Sequence, residues 1–467
     1  MTTEVSRRRL MQIGLGAAAT AGLTSTGAVP LARAATTSNA GADSTRDGSG
    51  MCVRSSIDRA YKFLDFMMDE YVQGSTVRLC QSYSDQIAGG TFYSTAFIYD
   101  NAVLTLAYLA GGNVGRARVI GDGILFAQQN VSQGDGRFWQ AYYAGVDNGG
   151  VYVAAGLSYF QGSAMGDVAW PGMALAQLYH RTGEKKYLDG AVLAGTFIKG
   201  YRDDSQTPGG FFYGNGQTYK STEHNIDIYA FFTMLAELTG DSSWTNGALH
   251  AKAFVEFMFD SPSGHFWTGT NPDNSTNYNN SPEDVNTWSY LAYKNSTYGV
   301  SIDWVKTNLS TTDTSFAYNN SWGYGTQKIR VNGMTYASLS KLGTILGDPT
   351  SDADAVWLEG TGHLIAALLF RRLPADKDIP GFHGDLELAF ALIENCQIAQ
   401  DNLAGLAGTA VQTVNGTPIP TGTGLTASTS NLNTGFGFSY YPYLHIGATG
   451  WYVIGALGFN PMRLEQI

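Results

Sequence analysis

The chain is short of charge, of cysteine and of basic residues. Only 14% of its 467 residues are Asp, Glu, Lys or Arg, against roughly a quarter in ordinary globular proteins. Lys and Arg number 28 against 39 Asp and Glu, for a net charge of −11, and the one basic run is Arg7–Arg9. Neutralising a phosphate backbone needs clustered cations, so nucleic acid is excluded as a partner. A polyanionic substrate is disfavoured on the same ground. Three cysteines, Cys52, Cys80 and Cys396, are too few for a disulfide framework; one pair could bridge, or all could be free buried thiols. CxxC and HExxH motifs are absent and the seven His are scattered, so no metal and no cofactor is expected. Asn271–Asn277 lacks the acidic ligands of a calcium loop and reads as a polar turn. No stretch reaches the ~18 uninterrupted apolar residues of a membrane span.

What is present in excess is aromatic and small. Aromatics make up 13%, with 27 Tyr, 23 Phe and 9 Trp, beside 57 Gly but only 13 Pro. Rings and amides with few charges suit a neutral, hydroxyl-rich ligand. At the N-terminus, Arg7-Arg8-Arg9 precedes a weakly apolar Gly/Ala stretch and then Ala32-Arg33-Ala34, the pattern of a twin-arginine signal peptide over residues 1–34. Residues 35–51 have the composition of a disordered linker. The expected mature protein is exported, extracytoplasmic and without a membrane anchor, as one domain over 52–467, with a monomer favoured.

From Arg54 onward the apolar spacing is helical, and the segments are of two kinds. Ile57–Tyr71, Gly115–Gln129, Lys185–Lys199, Ala248–Phe259 and Asp385–Gln400 are amphipathic. Thr95–Leu109, Ala169–Tyr179, Asn225–Leu238, Val331–Leu346, Ala355–Phe370 and Ile446–Leu457 are apolar almost all round, as helices buried among other helices are. Gly111–Gly112, Gly183, Gly240 and Gly347 follow four of the apolar segments as candidate C-caps, and an amphipathic segment follows the first three. Val285–Tyr293 with Val300–Leu309 supplies a further pair. Roughly six such hairpins fit the chain. Buried helices inside and amphipathic ones outside predict an all-α (α/α)6 toroid; a solenoid of the same hairpins is the alternative, and polar exceptions on the buried helices favour closure.

Those exceptions collect at helix starts, where an inner ring would open into a funnel. Asp100 follows Tyr99; Glu223, His224 and Asp227 fall in Ser221-Thr-Glu-His-Asn-Ile-Asp; Glu283 and Asp284 follow Ser281-Pro282. Glu359 and His363 lie four apart, and His445 precedes the last apolar segment. Ser281 as N-cap with Pro282 at the first helical position would explain Glu283 and Asp284 by capping alone. Asp227 has no such explanation, because it is flanked by Ile226, Ile228 and Tyr229 and an isolated buried charge is costly. Several carboxylates in an aromatic funnel suit glycosidic bond hydrolysis, in which one acid protonates the leaving oxygen and one carboxylate activates water or attacks. Tyr99, Trp170, Trp288 and Trp357, with His224, Glu283, Asp284, His363 and His445, are the candidate substrate-binding residues; Trp139 and Trp267 lie in nearby loops.

The leader, the hairpin rhythm and Ser221-Thr-Glu-His-Asn-Ile-Asp resemble secreted bacterial proteins of the six-hairpin glycosidase superfamily, over about residues 52–462. The resemblance implies an (α/α)6 barrel, a glycoside hydrolase activity that often inverts, and an acid/base set drawn from Asp100, Glu223, Asp227 and Glu359. Glu223 is the expected general acid, Asp100 or Glu359 its partner, and Asp227 supporting. Three other readings compete. A polysaccharide lyase on the same toroid needs basic residues that are scarce here; a sugar epimerase would draw on His224, His363 and His445; a glycan-binding protein needs the aromatics but not buried acids. A terpene cyclase lacks its DxDD or DDxxD cluster.

Overall fold

The computed structural model describes residues 53–71, 78–87, 94–144, 158–314, 317–319, 326–346, 349–371, 384–403 and 411–464. The expected signal peptide, the linker and Cys52 lie outside the described residues. Twelve α-helices are found among the described residues. They run in chain order as α1 (Val53–Asp69), α2 (Ile98–Ala110), α3 (Val114–Phe126), α4 (Met165–Thr182), α5 (Lys185–Lys199) and α6 (Thr222–Thr239). The rest are α7 (Ser242–Phe257), α8 (Glu283–Tyr293), α9 (Val300–Asn308), α10 (Leu358–Arg371), α11 (Asp385–Asn402) and α12 (Ile446–Leu457).

The even-numbered helices form the inner ring. Each packs on the next, and α12 packs back on α2, so the ring closes. Every inner helix also packs on one outer helix: α2 on α3, α4 on α5, α6 on α7, α8 on α9, α10 on α11, and α12 on the first helix of the chain, α1. The architecture is an all-α (α/α)6 toroid, closed rather than solenoidal. Its chemistry is that of the two segment kinds. In α2 every residue but Ala110 is buried, whereas α1 buries the single stripe Ile57, Ala60, Phe63, Leu64 and Met67, at the spacing of one helical face.

Tight turns join the hairpins because glycine can take the left-handed cap conformation. Gly183 ends α4 at φ 69° and Gly240 ends α6 at φ 71°, each two residues before the outer helix begins. A second use of glycine draws α10 and α12 together. A β-carbon built on Gly455 would stand 2.4 Å from the Gly362 carbonyl oxygen, and one on Gly362 would stand 2.8 Å from the backbone of Trp451 and Tyr452. Backbone cannot yield as a side-chain tip can, so Gly455→Ala is expected to separate the two helices at a cost of at least about 1–3 kcal/mol. A thermal midpoint unchanged by that substitution would contradict the close packing.

One expected helix is absent. Val331–Met334 is a strand, antiparallel to Ser310–Asp313 with Thr312 opposite Asn332, and Ser338–Leu346 is 3₁₀ turns broken at Gly343 (φ 51°). Asn332, Gly333 and Gly343 are poor helix formers, and the place of an inner helix is already taken by α8. The segment Ala169–Tyr179 starts earlier than its apolar run, at Met165, with Pro171 inside the helix. Ser281 does not cap α8: its hydroxyl donates to the Phe266 carbonyl, and Pro282 occupies the cap position. Cys80 and Cys396 are free, buried thiols.

A candidate active site at the N-terminal ends of the inner helices

The inner helices start at one end of the barrel, and their registers match. An acid lies in the first turn of five of them: Asp100 on α2, Asp167 on α4, Glu223 on α6, Glu283 and Asp284 on α8, and Glu359 on α10. The sixth, α12, is capped by His445, whose Nδ1 accepts from the Ala448 N–H at 3.2 Å. A helix N-terminus favours negative charge through its aligned, unpaired N–H groups. Burial opposes it: Asp100, Asp227, Glu283, Asp284 and Glu359 are fully enclosed, whereas Glu223 keeps a little exposure.

One turn deeper lies an aromatic plug. The sixth residue of each inner helix in turn is Val103, Trp170, Asp227, Trp288, His363 and Trp451, so tryptophan recurs on every second helix. The three indoles meet at the axis, with centroids 4.8 Å apart for Trp170–Trp288, 5.7 Å for Trp170–Trp451 and 6.0 Å for Trp288–Trp451. His363 stands edge-on to Trp451 at 3.8 Å. Trp357, just before α10, packs on Tyr336 at 4.7 Å and stacks on Tyr440 at 5.6 Å. Trp170, Trp288 and Trp357 are therefore placed as enclosed rings packed on other protein rings; Trp170 and Trp288 lie one turn below the acids, and Trp357 precedes Glu359 at the start of α10.

The acids of α2 and α10 are joined through His445. With Nδ1 accepting a backbone N–H, the other ring nitrogen, Nε2, lies 3.1 Å from Asp100 Oδ2. Glu359 Oε2 lies 3.7 Å from His445 Nδ1, and Glu359 Oε1 accepts from the Tyr99 hydroxyl at 2.9 Å. That hydroxyl in turn accepts from Trp451 Nε1 at 2.7 Å. Tyr83 stacks over the imidazole at 4.0 Å. Two glycines at equivalent second positions make room: a β-carbon on Gly447 would stand 2.6 Å from His445 and 2.7 Å from Asp100, and one on Gly166 2.8 Å from His224 and 3.4 Å from Asp227.

Among the candidate residues, Glu223 and His224 reach an open pocket. Its volume is about 150 Å³, and Tyr213, Tyr219, Tyr336, Phe436 and Phe438 supply aromatic lining, with Thr268, Thr270 and Asn277 as polar lining. Lys220 also lines it, but its ammonium is engaged by Asp203 Oδ2 at 2.6 Å and Asn274 Oδ1 at 3.1 Å. A protein cation thus sits against the Asn271–Asn277 turn. Among the described residues no group of three or more His, Cys, Asp or Glu is placed to hold a metal ion. No helix among them is long and apolar enough to cross a membrane.

Desolvation dominates the titration of Asp167, Asp227, Glu283, Asp284 and Glu359. Burial pushes Asp167 up to about 7, eased by the Ala164 backbone N–H and reinforced by Asp100. Burial likewise pushes Asp284 up to about 8, partly offset by the Val285 N–H. Asp227 is raised by burial and by the neighbouring Asp284, with the Trp170 indole opposing; Glu359 is raised by burial and Asp100, with the Tyr99 hydroxyl opposing. His224 is lowered to about 3 by burial and stays neutral. Above about pH 6.5, where the histidines of the unfolded chain are neutral too, the folded state holds carboxyl protons that the unfolded chain has released, so stability falls as pH rises. The thermal midpoint is expected to drop from about pH 6.5 to about pH 8.5, and Asp167→Asn to flatten that slope. A midpoint rising over this window would refute the assignment.

No protein-family model matches the chain, and no curated protein matches it. Solved structures do. A GH76 α-mannanase from Bacteroides thetaiotaomicron is 15% identical, with 88% of this chain and 96% of that chain covered, at a TM-score of 0.51. The chain shares the (α/α)6 barrel fold of that structure. A D-mannose isomerase is 11% identical over 89% of this chain and 98% of its own, with a TM-score of 0.52. A sugar epimerase from a ruminal bacterium is 10% identical over 87% and 98%, with a TM-score of 0.53. The six-hairpin fold is thus shared with proteins of different chemistries, and function has to be argued from the site.

Several residues at this end of the barrel carry little signal in the sequence. Asp167 escaped because Pro171 masks the helix start, although a proline six residues in removes only the bond to the Asp167 carbonyl. Trp451 was visible only as one more apolar residue until the helix starts aligned it with Trp170 and Trp288. Tyr213, Tyr219, Tyr336, Phe436 and Phe438 come from loops with no periodic signal.

Proposed function

We propose that the chain is a glycoside hydrolase acting on a neutral oligo- or polysaccharide, with Glu223 as general acid. The observation that carries this reading is Glu223 itself: it is the one member of the carboxylate ring that lines the aromatic pocket. Its position gives a proton donor at the place where a glycosidic oxygen would sit, beside rings that can stack on sugar faces. The second carboxylate is Asp100, beside His445 at 3.1 Å, with Glu359 held by the Tyr99 hydroxyl. Asp227, one turn below Glu223 and raised by its buried surroundings, supports the acid by staying protonated. Inversion follows the resemblance. Glu223 and the other named acids are the part of the site that a glycan-binding protein would not need.

The lining argues against a lyase. Its Lys220 is already engaged by Asp203 and Asn274, so it offers little to a uronate carboxylate. A second reading, a sugar epimerase or isomerase, has one observation in its favour: His224 lines the pocket, where a second proton-transfer group would stand. We further propose that residues 1–34 are a twin-arginine signal and that the enzyme works outside the cytoplasm, with residues 35–51 as its linker.

Proton NMR of the protein incubated with neutral glycans, in deuterated water, tests these together. Release of sugar with one initial anomer supports the hydrolase and reads its stereochemistry. Deuterium appearing on sugar carbon without cleavage supports the epimerase. An unsaturated product from a uronate polymer would overturn both.

A further inference from the structure

Next in the chain to the pocket-lining Asn277 stands an aromatic outcrop that the acid/base chemistry does not use. Tyr278 is 66% exposed, more than any other large apolar side chain among the described residues, and it directly follows Asn277, which lines the pocket. A lone exposed ring is ordinary; this one is braced. Its ring packs edge-on against Trp267 at 5.2 Å, Trp267 against His265 at 4.3 Å, and His265 stacks flat on Trp304 of α9 at 4.6 Å. The ladder runs from an outer helix to Tyr278.

The same ladder is tied to the helix that carries Glu223. The Thr222 hydroxyl donates to the Trp267 carbonyl at 2.7 Å, and the Thr222 N–H donates to the Thr268 carbonyl at 2.9 Å. From the other side, the Asn277 N–H donates to the Gly269 carbonyl at 2.8 Å. Lys220, held by the buried Asp203, fastens the intervening turn through Asn274. Tyr278 and Glu223 are thus fixed relative to each other by short backbone links. A rigid aromatic face held ready for an apolar surface loses little freedom on binding.

We propose that Tyr278 is the stacking platform of an outer saccharide subsite, binding a sugar unit beyond the one held at Glu223. The substrate class is therefore a neutral glycan of several units rather than a single sugar derivative. This rests on the glycoside hydrolase reading for the inner pocket.

The test is calorimetric titration of the full chain and of Tyr278→Ala and Tyr278→Trp with mannohexaose, cellohexaose and maltohexaose, and with mannose and glucose. Product release from the same hexasaccharides is followed in parallel. Loss of the ring is expected to weaken hexasaccharide binding about tenfold, the scale of one aromatic contact, while Tyr278→Trp retains it and monosaccharide affinity moves less than twofold. If the wild type cleaves a hexasaccharide and Tyr278→Ala binds it equally well, the platform is overturned and the hydrolase reading stands. If a hexasaccharide binds through Tyr278 but is never cleaved, the platform stands and the hydrolase reading falls. Binding of none of these probes overturns both.

Discussion

Glu223→Gln is expected to lower kcat by about 10²–10⁴-fold, the range over which a positioned general acid acts, with KM and the thermal midpoint nearly unchanged. The substitution keeps the shape of the side chain and its place on α6 but removes the transferable proton. It leaves the pocket aromatics and the Ser221 cap, whose hydroxyl accepts from the His224 N–H, untouched. The counterpart is Asp227→Asn, which keeps a neutral, hydrogen-bonding group at a site already held protonated by burial and Asp284; it should cost far less than tenfold. Steady-state kinetics on a cleaved oligosaccharide measures both. If Glu223→Gln retains wild-type turnover, the proton donor is elsewhere in the ring and the assignment fails.

The largest stability effect is expected at the opposite end of α10. Arg371 is wholly buried, and its guanidinium grips Asp385 with two contacts of 2.6 Å, from Nε to Oδ2 and from Nη2 to Oδ1. It reaches Asp303 at 3.0 Å twice and donates to the Gly299 carbonyl at 2.9 Å. One side chain thereby joins the inner α10 to the outer helices α9 and α11. Arg371→Met removes the main partner of the fully buried Asp385, which keeps only Lys306 at 3.0 Å. Breaking a buried pair in this way costs about 3–5 kcal/mol. The double substitution Arg371→Met with Asp385→Leu should recover most of the loss, because removing both charges leaves no uncompensated ion. Urea unfolding of the wild type and the two variants tests this; equal stability of the single variant and wild type would mean that the network contributes nothing net.

Together, the five expected outcomes separate the working end of the barrel from its frame. The pH slope and Glu223→Gln read the acid ring, Tyr278→Ala reads the aromatic outcrop, and Gly455→Ala and Arg371→Met read the packing that holds the inner ring closed.

The scarcity of charge, read first as a hint of a neutral ligand, turns out to have a spatial meaning. Several of the few acids sit at or just below the first turns of buried helices, and that much was legible from Asp100, Asp227 and Glu359 standing in apolar runs. The alternation of buried and amphipathic segments was enough for the (α/α)6 plan, because a helix apolar all round can only be satisfied among other helices. It misread Val331–Leu346, where composition is apolar but Asn332, Gly333 and Gly343 favour extended and broken backbone.

Tertiary structure alone decided three matters, each for a reason of distance in the chain. Ring closure depends on α12 meeting α2, about 350 residues apart in sequence, which no local pattern encodes. The axial meeting of Trp170, Trp288 and Trp451 depends on the register of three separate helices. That Glu223 lines the pocket depends on where the segments bearing Tyr336, Phe436 and Phe438 come together beside α6. Residue type determined that carboxylates would be concentrated at the helix starts; solvent access, a property of the assembled barrel, determined which of them reaches the pocket.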